Sequence, residues 1–130
     1  MDIKSFVFNA FYENTYLLTS SNLETLILDP GCYEDFEKKE LTDLIKINKL
    51  KPIAIINTHC HIDHVLGNDY LKKLYDIPLW IPATEKNLLK SVSTYAPTMG
   101  IQNYQEAQPD KLLSEKDVIA FGPDKLEILY

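Results

Sequence analysis

The chemistry of this chain is concentrated in Thr58-His59-Cys60-His61-Ile62-Asp63-His64, which holds all 3 histidines of the 130-residue sequence. His59 and His61 stand two apart. On an extended segment they point to the same side, as two ligands of one ion require. Asp63 and His64 follow where the chain turns into the next helix, and can project towards a second, nearby ion. Imidazole and carboxylate together suit zinc, with iron or manganese as alternatives. A single histidine at a strand end is more often a packing or surface residue, and Asp63 alone would more often be an N-cap. The crowding of these donors is what points to metal. Cys60, between two ligands, is expected to face away as a small buried side chain. Gly67 permits close backbone approach in the first helical turn.

These residues need elements to hold them. Ile3 to Phe8, Thr15 to Thr19 and Thr25 to Leu28 read as strands, with a turn over 9–13 and the polar Ser20-Ser21-Asn22 between the second and third. Asp29-Pro30-Gly31 breaks the chain sharply. Glu34 to Asn48 reads as a helix, acidic at its start and basic towards its end, with Phe36, Leu41, Leu44 and Ile45 on an apolar stripe. Ile53 to Ile56 is wholly apolar, which suits a strand buried on both faces. Val65 to Tyr75 reads as a helix with Leu66, Tyr70 and Leu74 on one face. Leu79 to Ile81 reads as a strand, and Thr84 could cap a helix beginning at Glu85. Ser93 to Pro109 reads as a loop. Val118 to Phe121 and Leu126 to Leu129 read as strands joined at Gly122-Pro123-Asp124. The order is a mixed α/β layout, and the histidine cluster lies at the carboxyl end of a buried strand, where open α/β sheets commonly bind ligands.

Composition narrows the function. Hydrophobic residues make up 45% of the chain, enough for the core of one domain. The net charge of −6, with lysines mixed among acids, argues against a nucleic-acid partner. No apolar stretch is long enough to span a membrane, and the first residues predict no secretory leader. The 2 cysteines, Cys32 and Cys60, are too few for a disulfide framework, so a reduced, cytoplasmic protein is expected.

His59-Cys60-His61-Ile62-Asp63-His64 resembles the His-x-His-x-Asp-His motif of the metallo-β-lactamase superfamily. Asn14-Thr15-Tyr16, Asp29-Pro30-Gly31, the run from Ile53 to Thr58 and Gly67-Asn68 resemble segments of its glyoxalase II-like branch. The resemblance covers most of the chain. It implies the N-terminal half of a four-layer αβ/βα sandwich with a metal pair at a sheet edge. His59 and His61 would bind the first metal, Asp63 and His64 the second. Asp63 would also orient the attacking water. Asp29 would lie near the site, either holding the Pro30-Gly31 turn or fixing a ligand's orientation. The implied activity is hydrolysis of a thioester or related ester by metal-bound hydroxide, with zinc as cofactor, up to two ions per chain, and a small molecule as substrate.

The family uses further ligands, including later histidines, and no histidine follows His64. Residues 117–122 and 125–129 resemble the hairpin that leads into the next ligand segment. The expectation is therefore an N-terminal part of a longer domain, residues 1–130, which exposes a sheet face that a homodimer would bury. For this chain by itself, the ligand count favours metal binding without turnover over hydrolysis. A scaffold piece with a vestigial cluster is the remaining reading, and the intact ligand spacing argues against it.

Overall fold

The computed structural model describes residues 1–129. Three strands, β1 (Asp2–Phe8), β2 (Glu13–Thr19) and β3 (Glu24–Leu28), form an antiparallel meander. Helix α1 (Asp35–Ile47) then returns the chain to β4 (Lys51–Ile56), which pairs parallel to β3. Short α2 (Ile62–Val65) and α3 (Asn68–Tyr75) lead to β5 (Leu79–Pro82), and α4 (Lys86–Tyr95) precedes β6 (Lys111–Leu113). Both later strands add in parallel, giving a six-stranded sheet in the order β1-β2-β3-β4-β5-β6. A separate antiparallel hairpin, β7 (Val118–Phe121) and β8 (Asp124–Glu127), follows.

Side chains alternate across a strand, so each central strand feeds two cores. Leu17, Ile27, Ile55, Leu79 and Ile81 face the helices and pack with Leu41, Ile45, Val65, Leu71, Leu89 and Val92. Leu18, Leu26, Ala54 and Ile56 face the other way and pack with Leu113, Ile119 and Phe121 from β6 and the hairpin. The result is helices, then the large sheet, then the small sheet. The hairpin leaves part of β1 uncovered. Ile3 and Val7, on its side of the sheet by their pairing with Leu18 and Asn14, are 57% and 61% exposed.

Most expected elements form, and the differences have physical causes. The helix expected over Val65–Tyr75 is two pieces, α2 and α3. The Gly67 N–H, which would carry the helix on to the Asp63 carbonyl, bonds Pro30 O at 2.7 Å instead. The apolar stripe of α3 is also rotated: Tyr70 and Leu74 are exposed, while Asn68 and Leu71 are buried. Phe36 likewise leaves the α1 stripe and is 70% exposed. Thr84 lies in a 3-10 turn (Ala83–Glu85) and caps nothing. The stretch read as a loop from Ser93 begins as the end of α4 and a second 3-10 turn (Ala96–Met99). Strand β6, only 3 residues long, escapes any period-based reading. The last strand is Asp124–Glu127 rather than Leu126–Leu129. Among the described residues, no helix is long and apolar enough to cross a membrane.

Candidate metal centre

The site is built where β3 and β4 end side by side. Leu28 pairs with Ile56, so the loops leaving these strands share one edge of the sheet. The Asp29 N–H continues the pairing by donating to Ile56 O at 2.9 Å, and Asn57 N–H donates to Trp80 O at 3.1 Å. The next residues on both chains, Asp29 and Thr58, then meet. Asp29 Oδ1 accepts the Thr58 N–H at 2.7 Å, and its Oδ2 accepts the Thr58 hydroxyl at 2.6 Å. Asp29 holds a left-handed backbone (φ 51), tolerable for aspartate. Both of its oxygens are thus engaged in holding the histidine loop.

The three imidazoles converge. The His59 ring centroid lies 4.7 Å from that of His61, edge on, and 4.1 Å from that of His64. His64 Nε2 is 3.3 Å from Asp63 Oδ2, and its Nδ1 is 3.2 Å from Asp29 Oδ2. One ligand atom from each of Asp29, His59 and His64 falls within a 4.8 Å cluster, tight enough for one ion. The structure therefore gathers ligand atoms of His59 and His64 with one from Asp29, while His61 meets the His59 ring and Asp63 meets His64 from outside that cluster. Cys60 turns the other way into the helix-side core. Its N–H donates to Glu85 Oε1 at 2.9 Å, which anchors the middle of the motif to the start of α4.

Three further residues complete the site. Glu13 opens β2 with a fully buried side chain. Its Oε2 accepts the Thr15 hydroxyl at 2.8 Å, and its Oε1 faces His64 Nδ1 at 3.6 Å. Burial pushes the Glu13 carboxyl up to about 8, against the opposing pull of the Thr15 hydrogen bond and the His64 charge. Asn9 and Asn57 donate to the carbonyls of Asp63 and His64. The sequence held one signal for Glu13. It shares an inward-facing alternation with Thr15 and Leu17, where a charged residue needs a reason to be buried.

The donor set fits a divalent cation. Glu13 Oε1 and His64 Nδ1 are both buried without a hydrogen-bond partner. The carboxylates of Glu13, Asp29 and Asp63 converge on His64, and among the described residues none of them pairs with a lysine. Burial first, and then the neighbouring His64, lower the affinity of His59 for a proton, a direction that suits a metal-ligating nitrogen. For His64, burial works downwards, but Asp29, Asp63 and Glu13 outweigh it and raise its pKa. Tyr95 and Tyr104 are partly buried against the helix-side core, and Trp80 against the hairpin-side core.

The cluster thus lies at the edge of a mixed sheet that carries helices on one face and a second, small sheet on the other. The profile of the metallo-beta-lactamase superfamily matches residues 9–129, and the chain belongs to that superfamily. It is 35% identical over 120 residues to the probable metallo-hydrolase YqgX of Bacillus subtilis, covering 90% of this chain and 54% of that protein. It is 26% identical over 132 residues to the hydroxyacylglutathione hydrolase GloC of Haemophilus influenzae, covering 100% of this chain and 60% of that protein. Among solved structures it superposes on the B3 metallo-beta-lactamase BLEG-1 with a TM-score of 0.80 at 26% identity, over 97% of this chain and 59% of that one. It also superposes on a protein solved in a di-iron-bound form, with a TM-score of 0.73 at 27% identity, over 86% of this chain and 54% of that one. The chain spans about half the length of the curated relatives it matches.

Proposed function

We propose that this chain carries the histidine half of a divalent-metal centre, zinc or iron, in a hydrolase that cleaves thioesters or related esters. The observation that supports this best is the cluster of His59, His64 and Asp29 ligand atoms, with His61 packed against His59 and Asp63 against His64. His59 and His61 would hold one ion, and Asp63 and His64 a second. A bound divalent ion supplies Lewis acidity, which polarises a carbonyl and acidifies a water towards neutral pH. Asp63 would orient that water as well as bind metal. Asp29 keeps the ligand loop in place through Thr58. His61 is exposed, so the cluster opens to solvent and to a small-molecule substrate.

Thioesters are favoured because several relatives are named as hydroxyacylglutathione hydrolases. The direct test is hydrolysis of a hydroxyacyl-glutathione thioester, with an aryl ester and a β-lactam as comparison substrates. The reading expects thioester cleavage that is lost with chelator and with Asp63→Asn. Preferential β-lactam cleavage would displace it. A second reading, metal binding without turnover by the 130-residue chain, is favoured by the ligand count, since all 3 histidines lie in one motif. Metal uptake with no cleavage of any of these substrates would establish it.

A further inference from the structure

Asn9 closes the turn between β1 and β2, far in sequence from the histidine motif, yet its side chain is wired into it. The Nδ2 group donates to Asp63 O at 2.9 Å and to Gly31 O at 3.0 Å. The Oδ1 atom accepts the Phe11 N–H at 2.9 Å. The backbone N–H donates to Glu37 Oε2 of α1, a carboxylate that also accepts the N–H groups of Tyr33 and Glu34. The amide orientation is fixed by chemistry, because both neighbours of Nδ2 are carbonyl oxygens and the neighbour of Oδ1 is a donor.

The Asp63 carbonyl needs this donor. In a continuous helix the Gly67 N–H would serve it, but that group is spent on Pro30 O. The next carbonyl, that of His64, is met by Asn57 Nδ2 at 3.3 Å. An asparagine side chain thus replaces the helical rung at Asp63, and a second asparagine donates to the next carbonyl of the motif. We propose that Asn9 is a positioning residue for the Asp63–His64 turn, setting the direction from which these two side chains meet a metal ion. The proposal rests on the reading of Asp63 and His64 as metal ligands.

A simple turn role makes a different forecast. Asn9 sits at φ 56, which glycine and aspartate tolerate. If only the turn mattered, Asn9→Gly and Asn9→Asp would both serve. Aspartate keeps the acceptor for Phe11 but sets a second oxygen against the two carbonyls. The test is cobalt(II) titration of the purified chain, read by visible absorption and chelator competition, together with amide hydrogen exchange of the metal-free protein. Asn9→Asp is expected to weaken cobalt binding about ten-fold or more, although its added charge would by itself attract a cation, and Asn9→Gly to lie between it and the wild type. The His64 amide, bonded to His61 O at 3.0 Å, is expected to exchange about ten-fold faster in Asn9→Asp while the Leu17 and Ile27 amides keep their protection. Binding within about two-fold in both variants, with unchanged His64 exchange, overturns the proposal. If the wild-type chain takes up no cobalt, the metal reading fails, and the exchange rates alone decide whether Asn9 holds the turn. If Asn9→Asp does not fold, Asn9→Gly carries both readouts.

Discussion

At the scale of single residues, the histidine motif could be read directly because its ligands are neighbours in sequence. Glu13 and Asn9 could not be read this way, because they reach the motif from the β1–β2 turn. No local spacing encodes that approach. Glu13 also gives the site its sharpest pH signature. Its pKa rises from 4.5 in the unfolded chain to about 8 in the fold, so the folded state keeps a proton that the unfolded state sheds. The contribution is fully present below about 4.5 and is lost as pH rises to about 8. The metal-free chain is expected to lose stability across that window, by at most about 1.4 kcal/mol per pH unit from this group. Urea midpoints measured along the window should show a shallower slope in Glu13→Gln; an identical slope would remove Glu13 as the cause. Burial likewise pushes the Cys32 thiol up to about 12. Iodoacetamide at pH 8 should therefore leave Cys32 unlabelled in the folded chain and label it in denaturant.

At the scale of elements, β1 to β5 and α1 were legible from apolar runs bounded by turn residues. The region from Val65 to Tyr75 was not. Its apolar residues fit a helical period, but the fold interrupts the helix at Gly67 to admit the Pro30–Cys32 loop. The interruption is a packing fact: a methyl group at Gly67 would overlap Cys32 Sγ and Pro30 O. Gly67→Ala is expected to cost roughly 1–3 kcal/mol of stability and to loosen metal binding with it, because Pro30 belongs to the loop that carries Asp29. Thermal and metal titrations on this variant would check both. A variant as stable as wild type would show that the close approach is not required. Short β6 went unread for a simpler reason, since 3 residues display no periodicity.

At the scale of the whole molecule, the sequence carried the α/β class, and the motif carried the superfamily. What neither could give is how much of the small sheet this chain would form. The hairpin covers β3 and β4 but leaves Ile3, Val7 and Tyr16 exposed on β1 and β2. An apolar sheet face of this kind favours association. Sedimentation is expected to show self-association of the 130-residue chain that rises with concentration and is reduced in Val7→Lys; a strict monomer at high concentration would refute it.

The central claim is the metal centre, and stoichiometry tests it most directly. The purified chain should be loaded with zinc, freed of excess and assayed for bound metal beside His61→Ala and His64→Ala. The account predicts zinc retained by the wild type and diminished in both variants. About two ions per chain would mean that other donors complete both sites, and about one a half-site. Absence of bound zinc, or retention unchanged by either substitution, would contradict the account.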